Sequence, residues 1–134
     1  MNEQQNTQLV QQAYAKFQAG DIPGLLEMCA DDIEWELDPN DDVPFSGARH
    51  GKEAVREFFS TLDQSQQPLH FEPREFIAQG DKVVALGHYA WNVKSTDRTF
   101  ESDWAEIFTI RDGKIARFRE FADTAAGAAA YRSH

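Results

Sequence analysis

The sequence predicts an α+β fold in which helices come first and a curved antiparallel sheet follows, with the helices on one side of it. Three observations carry this. Apolar residues recur at spacings of three and four near the start, as in Leu9, Val10, Ala13, Tyr14 and Phe17. From Leu69 onward apolar and polar residues alternate instead. The alternating runs are separated by short turn signals, Gly80-Asp81, "STDR" and Asp112-Gly113.

The first helix is expected over Glu3 to Gln18. Gly20 ends it, and Asp21 caps a short second helix with Pro23 near its start and Leu25, Leu26 and Met28 as its buried contacts. Alternation in "IEWEL" puts Ile33, Trp35 and Leu37 on one face of a short strand. A loop from Asp38 to Gly51 follows, with two prolines and enough length to form a lid or a pocket rim. A third helix runs from Lys52 to Leu62, with Ala54, Val55, Phe58, Phe59 and Leu62 as its apolar stripe. Four strands are then expected: Leu69 to Gln79, Lys82 to Lys94, Thr99 to Ile110 and Ile115 to Ala122. The tail "TAAGAAAYRSH" has the composition of a weak terminal helix, interrupted by Gly127.

A length of 134 residues suits one domain with one core, spanning 1–134. The hydrophobic share of 41% provides the material for that core, and the 10 phenylalanines and 3 tryptophans can also line an apolar cavity. A formal charge of -10 argues against nucleic acid and against anionic lipid as partners. The single cysteine, Cys29, excludes an internal disulfide, and its apolar neighbours predict a buried, inert thiol. The polar start "MNEQQNTQLV" and the lack of a long apolar run predict a soluble, cytoplasmic chain with no membrane partner. The histidines show no "HExxH" or similar spacing and there is no glycine-rich phosphate loop, so neither a metal nor another cofactor is expected.

Acidic residues set among aromatics are the candidate chemistry. Asp38 follows the first strand in "ELDPN"; a carboxylate held in an apolar cavity gains proton affinity, and a turn aspartate would look the same. Glu106 interrupts the aromatic strand "WAEIFTI"; it either faces a dry cavity or pairs across the sheet with Arg117 or Arg119. Asp123 ends "FTIRDGKIARFREFAD", either as a carboxylate at a pocket rim or as the cap of the terminal helix. The expected cavity lining is Tyr14, Trp35, Phe58 and Trp91, with Trp104, Phe108 and Phe121 from the last two strands. His88, beside Tyr89 and Trp91, is a further candidate for the cavity or for an outward position.

The pieces "AYAKFQAGD", "LLEMCADDIEWELDP", "FSGARHGKEAVREFF" and "EIFTIRDGKIARFREFAD", in this order, resemble the NTF2-like superfamily, in particular its SnoaL-like and ketosteroid-isomerase-like branch. The resemblance covers roughly residues 7 to 124. It implies a conical α+β barrel with a cavity between sheet and helices, and a homodimer formed through the outer sheet surface. It implies that Asp38 matches the aspartate that moves a proton between substrate carbons. It implies that Glu106 stands where a protonated acid donates to an enolate oxygen. The helical tyrosine of that pattern falls on Ala13 here, with Tyr14 one step away. Epoxide-hydrolase and cyclase-like branches resemble "EFAD" at Asp123, where Asp103 or Glu101 and Arg119 would complete an acid–base set.

Two functions remain open at this point. One is cofactor-free acid–base catalysis, of isomerase, lyase or hydrolase type, on an apolar small molecule carrying a carbonyl, enol or epoxide. The other is a non-catalytic module that binds a small molecule or a protein.

Overall fold

The computed structural model describes residues 2–132. The elements run α1 (Glu3–Gln18), α2 (Ile22–Glu27), β1 (Cys29–Glu36), β2 (Ala48–His50), α3 (Lys52–Ser65), β3 (Gln66–Gln79), β4 (Lys82–Val93), β5 (Arg98–Arg111), β6 (Lys114–Ala122) and α4 (Thr124–Tyr131). Asn2 and Gln5 form a reciprocal capping box on α1, and the Asp21 side chain accepts from the Gly24 N–H to start α2. The weak terminal helix is present as α4, although Ser133 and His134 of that segment lie outside the described residues. Cys29 opens β1; it is buried, and burial pushes its thiol pKa up to about 11, as an inert thiol requires.

The six strands form one sheet in the order β2-β1-β6-β5-β4-β3. Two expectations are corrected here. The sheet is mixed rather than antiparallel, because β1 runs parallel to the last strand, β6, with Trp35 beside Phe118. It is also an open sheet and not a conical barrel: β2 and β3 are its two edges, and no ladder joins them. The physical reason is the loop after β1. It returns only a three-residue strand, β2, which pairs with β1 through Glu34 to Glu36 and ends at the turn into α3. Among the described residues four helices accompany the sheet, the three expected before and between the strands and the terminal one.

The β5–β6 hairpin turns at Asp112 and Gly113, both with positive φ, which is the two-residue turn that Asp-Gly favours. Arg111 pairs with Lys114 and Ile110 with Ile115, but Thr109 then pairs with Arg117. Ala116 is therefore an extra residue, a β-bulge. Beyond it the faces of β6 exchange. Phe118, Glu120 and Ala122 turn inward, opposite Phe108, Glu106 and Trp104. Arg119 and Phe121 turn outward, and the Arg119 guanidinium lies 4.5 Å above the Phe121 ring.

The inner face packs through aromatic rings. Trp35 stacks on Phe118 with centroids 3.9 Å apart. The Tyr14 ring is enclosed by Phe71, Phe76, Trp104 and Phe108 at 5.6–6.0 Å. Trp104 reaches this position by lying over Gly87, where β4 has no side chain. A Cβ on Gly87 would stand 2.4 Å from Trp104 Cζ2 and 2.3 Å from the Glu72 carbonyl oxygen. Neither the backbone of β3 nor the buried indole can yield cheaply. Gly87→Ala is thus expected to destabilise the protein by about 3 kcal/mol, the upper end of overpacking costs. Chemical denaturation of the two proteins measures it, and equal stability would show that Trp104 is free to move.

Candidate active site

A cavity of about 130 Å³ lies between the inner face of the sheet and the helices. Its wall is mostly aromatic and aliphatic. Tyr14, Trp35, Phe58, Trp91 and Phe108 line it, as do the acids Asp38, Glu106 and Asp123. Three residues expected there lie elsewhere. Trp104 is buried behind Tyr14 and does not contribute to the wall. Phe121 is 43% exposed on the outer face, because the bulge at Ala116 reversed its direction. His88 also points outward, since β4 presents Tyr89 and Trp91 to the interior and therefore its alternate residues to the other side.

The polar centre of the wall is a pair of carboxyl groups. Glu106 is buried at 4% exposure and stands directly across the β5–β6 ladder from Glu120. The Tyr14 hydroxyl donates to Glu106 Oε1 at 2.6 Å, and the Tyr89 hydroxyl donates to Glu120 Oε1 at 2.9 Å. Each acid thus has its own tyrosine, one from α1 and one from β4. Glu120 and Tyr89 were absent from the sequence-based site. A regular two-residue hairpin at Asp112-Gly113 would set Glu106 opposite Arg119; the extra residue Ala116 moves Glu120 into that place.

The surroundings hold protons on this pair. Burial, followed by the charge of Glu120 and a hydrogen bond to it, raises the Glu106 pKa well above its ordinary 4.5, while Tyr14 opposes the shift. Glu120 is raised as well, chiefly by burial; the hydrogen bonds from Glu106 and Tyr89 work against that rise. Two carboxyls at such close quarters titrate as a unit, and one proton shared between them removes their repulsion. Burial likewise pushes both tyrosine hydroxyls far above their ordinary values, so both remain donors.

Asp38 and Asp123 sit at the mouth. Asp38 is bound by Arg119, which also lies 3.4 Å from Glu36. Asp123 is exposed and accepts from the Ala126 N–H at 3.0 Å, so it caps α4; its own N–H donates to Ser102 Oγ. Both aspartates therefore border the cavity while engaged in other contacts. The loop between β1 and β2 forms one side of the mouth through Asn40, Val43, Phe45 and Ser46. It is tied to α4 where Asn40 Nδ2 donates to the Thr124 carbonyl and Arg132 meets Asp42 at 3.2 Å. Within the wall, the Trp35 indole N–H is buried with no partner among the described residues.

Raised carboxyl pKa values carry a stability signature. Above the ordinary value of 4.5 the unfolded chain releases protons that the folded pair retains. The folded state then binds more protons, so stability falls as pH rises from that value through the folded pKa values. Glu106→Gln keeps the neutral shape and cannot ionise. The drop in Tm between about pH 5 and about pH 8 is expected to be smaller in the variant than in the parent, because one of the two proton-retaining carboxyls is gone. Parallel curves would show that Glu106 is not protonated above its ordinary range.

The same architecture occurs elsewhere. The family model described as SnoaL-like domain matches residues 10–118. No curated protein matches the chain. An NTF2-like protein from Burkholderia xenovorans LB400 is 37% identical, with a TM-score of 0.90 over 98% of this chain and 99% of that one. An NTF2-like protein from Burkholderia thailandensis E264 is 25% identical, with a TM-score of 0.86 over 98% and 99% of the two chains. TerC, crystallised with polyporic acid, is 29% identical, with a TM-score of 0.84 over 95% and 98%. With that match across most of its length, the chain belongs to the SnoaL-like family of the NTF2-like superfamily.

Proposed function

We propose that the protein is a small-molecule enzyme that moves protons on an apolar, enolisable carbonyl compound without a cofactor. The observation that carries this is the Glu106–Glu120 pair, each acid held by a tyrosine, in the wall of an otherwise aromatic cavity. Family membership supports a small-molecule role in general.

The pair suits the reaction in the state with one proton and one charge, which the raised proton affinity of both acids favours over two charges. The ionised member removes a proton from the carbon beside the carbonyl. The protonated member delivers its proton to the carbonyl oxygen, giving an enol. The pair finishes with one proton again, on the other carboxyl; that acid can deliver it to a different carbon while the ionised member takes back the enol O–H proton. Tyr14 and Tyr89 donate to the acids throughout, which keeps the charge tolerable in a dry site. The unpartnered Trp35 N–H is a donor available to a second substrate oxygen. In this reading Asp38 and Asp123 shape the mouth: Arg119 holds the first as an ion pair and α4 engages the second.

One observation favours the alternative of a binding module. Each acid of the pair already has its tyrosine donor inside the protein, so the network is satisfied without a ligand. Deuterium exchange at carbon separates the two readings without knowledge of the natural substrate. Aryl and cyclic ketones, with polyporic acid as a further probe, are incubated with the protein in D2O and followed by NMR. The expected result is exchange beside the carbonyl, lowered about 10²–10⁴-fold in Glu120→Gln and in Glu106→Gln. Ligand-induced stabilisation with no exchange across the panel would overturn catalysis and leave the binding module.

A further inference from the structure

The outer face of the sheet carries a cluster that the cavity does not use. His70 and Glu72 lie two residues apart on β3, so they share a face; His88 of β4 pairs directly with Glu72. One ligand atom from each of these three residues can be chosen so that all lie within 4.8 Å of one another. His70 Nε2 and His88 Nδ1 are 2.7 Å apart, with the rings stacked at 25°. Glu101 of β5 flanks His88 on the other side, its Oε1 at 3.5 Å from His88 Nε2. The His88 side chain is only 16% exposed, so its ring is held in place, whereas the His70 side chain is 41% exposed on an edge strand and free to swing.

We propose that His70, Glu72 and His88 form a binding site for a divalent transition-metal ion of the zinc class. Two imidazoles and one carboxylate are a familiar zinc ligand set, with the remaining position open to water. The second contact of His88 points the same way. A carboxylate beside Nε2 favours the tautomer that keeps the proton there and turns an open Nδ1 to a metal, as in the carboxylate–histidine–metal arrangement. In the metal-free protein that same Nδ1 is in hydrogen-bond contact with His70 Nε2. Bound zinc replaces this hydrogen bond. Two nitrogens at about 2.0–2.1 Å from a tetrahedral ion stand about 3.3 Å apart, so the exposed His70 ring must move outward by roughly half an ångström. Glu72 is held by Arg74 at 2.9 Å and still offers a carboxylate oxygen. The ion would also offset part of the chain's formal charge of -10.

No sequence spacing announces this site, because His88 joins His70 and Glu72 only through strand pairing. Calorimetric titration of the full chain with zinc chloride tests it. The expected result is one ion per chain with micromolar affinity. His88→Ala and His70→Ala should each weaken binding at least about tenfold. Glu101→Gln should weaken it about tenfold while leaving the stoichiometry unchanged, as an outer-sphere partner does. His50→Ala is the control: this exposed histidine is bound to Glu34 away from the cluster, and its removal should change nothing. Because His70 is exposed, its alanine variant keeps the fold even if His88→Ala does not. Absent saturable binding by the parent, or equal binding by parent and His70→Ala, would overturn the site.

Discussion

One extra residue in β6 determines what the cavity contains. Hairpin registry propagates from the turn, and side chains alternate with a period of two, so a one-residue insertion reverses every side chain beyond it. Without the bulge at Ala116, Glu106 would face Arg119 in an ordinary cross-strand ion pair, and Phe121 would enter the cavity. With it, Glu106 faces Glu120, while Arg119 is carried to the outer side. The chemistry of the wall therefore changes from a neutralised pair to an acid–acid pair. Arg119, moved outward, then binds Asp38 at the mouth.

An acid–acid pair in an aromatic wall is a poor way to gain stability. Each ionised carboxyl loses hydration, and their mutual repulsion adds to the loss. The fold answers with two hydrogen-bond donors from different elements and by retaining protons. Apolar residues of similar size would avoid both costs. Local destabilisation of this kind is what acid–base chemistry requires, since a carboxyl of ordinary pKa is a weak acid catalyst near neutrality. The tyrosines fit the same account: hydroxyls that stay protonated donate to whichever form of the pair is present.

How far the sequence disclosed this follows from the range of each signal. Helical periodicity and the Asp112-Gly113 turn are local, and the elements they indicated are present. Glu106 was visible because a charge between Trp104 and Phe108 is anomalous within one strand. Glu120 was not visible, since "RFREFA" looks like an amphipathic strand whose charged residues belong outside. Its inward direction depends on the bulge, and Ala116 carries no signal for one. The parallel pairing of β1 with β6 joins residues some eighty positions apart, and the local alternation of either strand is the same for both directions. His88 shows the complementary limit: its neighbours Tyr89 and Trp91 suggested the cavity, but adjacent strand residues point to opposite faces.

The two faces of the sheet thus divide the polar groups by environment. Inside, acids with raised proton affinity stand among aromatic rings and meet tyrosine donors. Outside, acids meet partners exposed to water: Arg74 lowers the pKa of Glu72, and Arg111 lowers that of Asp32. The same side-chain type therefore has opposite proton affinities across the thickness of one sheet. A metal ion needs a deprotonated carboxylate, which the outer face favours at Glu72; proton transfer needs a carboxyl that keeps its proton, which the inner face favours. Strand alternation separates the two environments, and the bulge at Ala116 decides which acid of β6 belongs to the inner one.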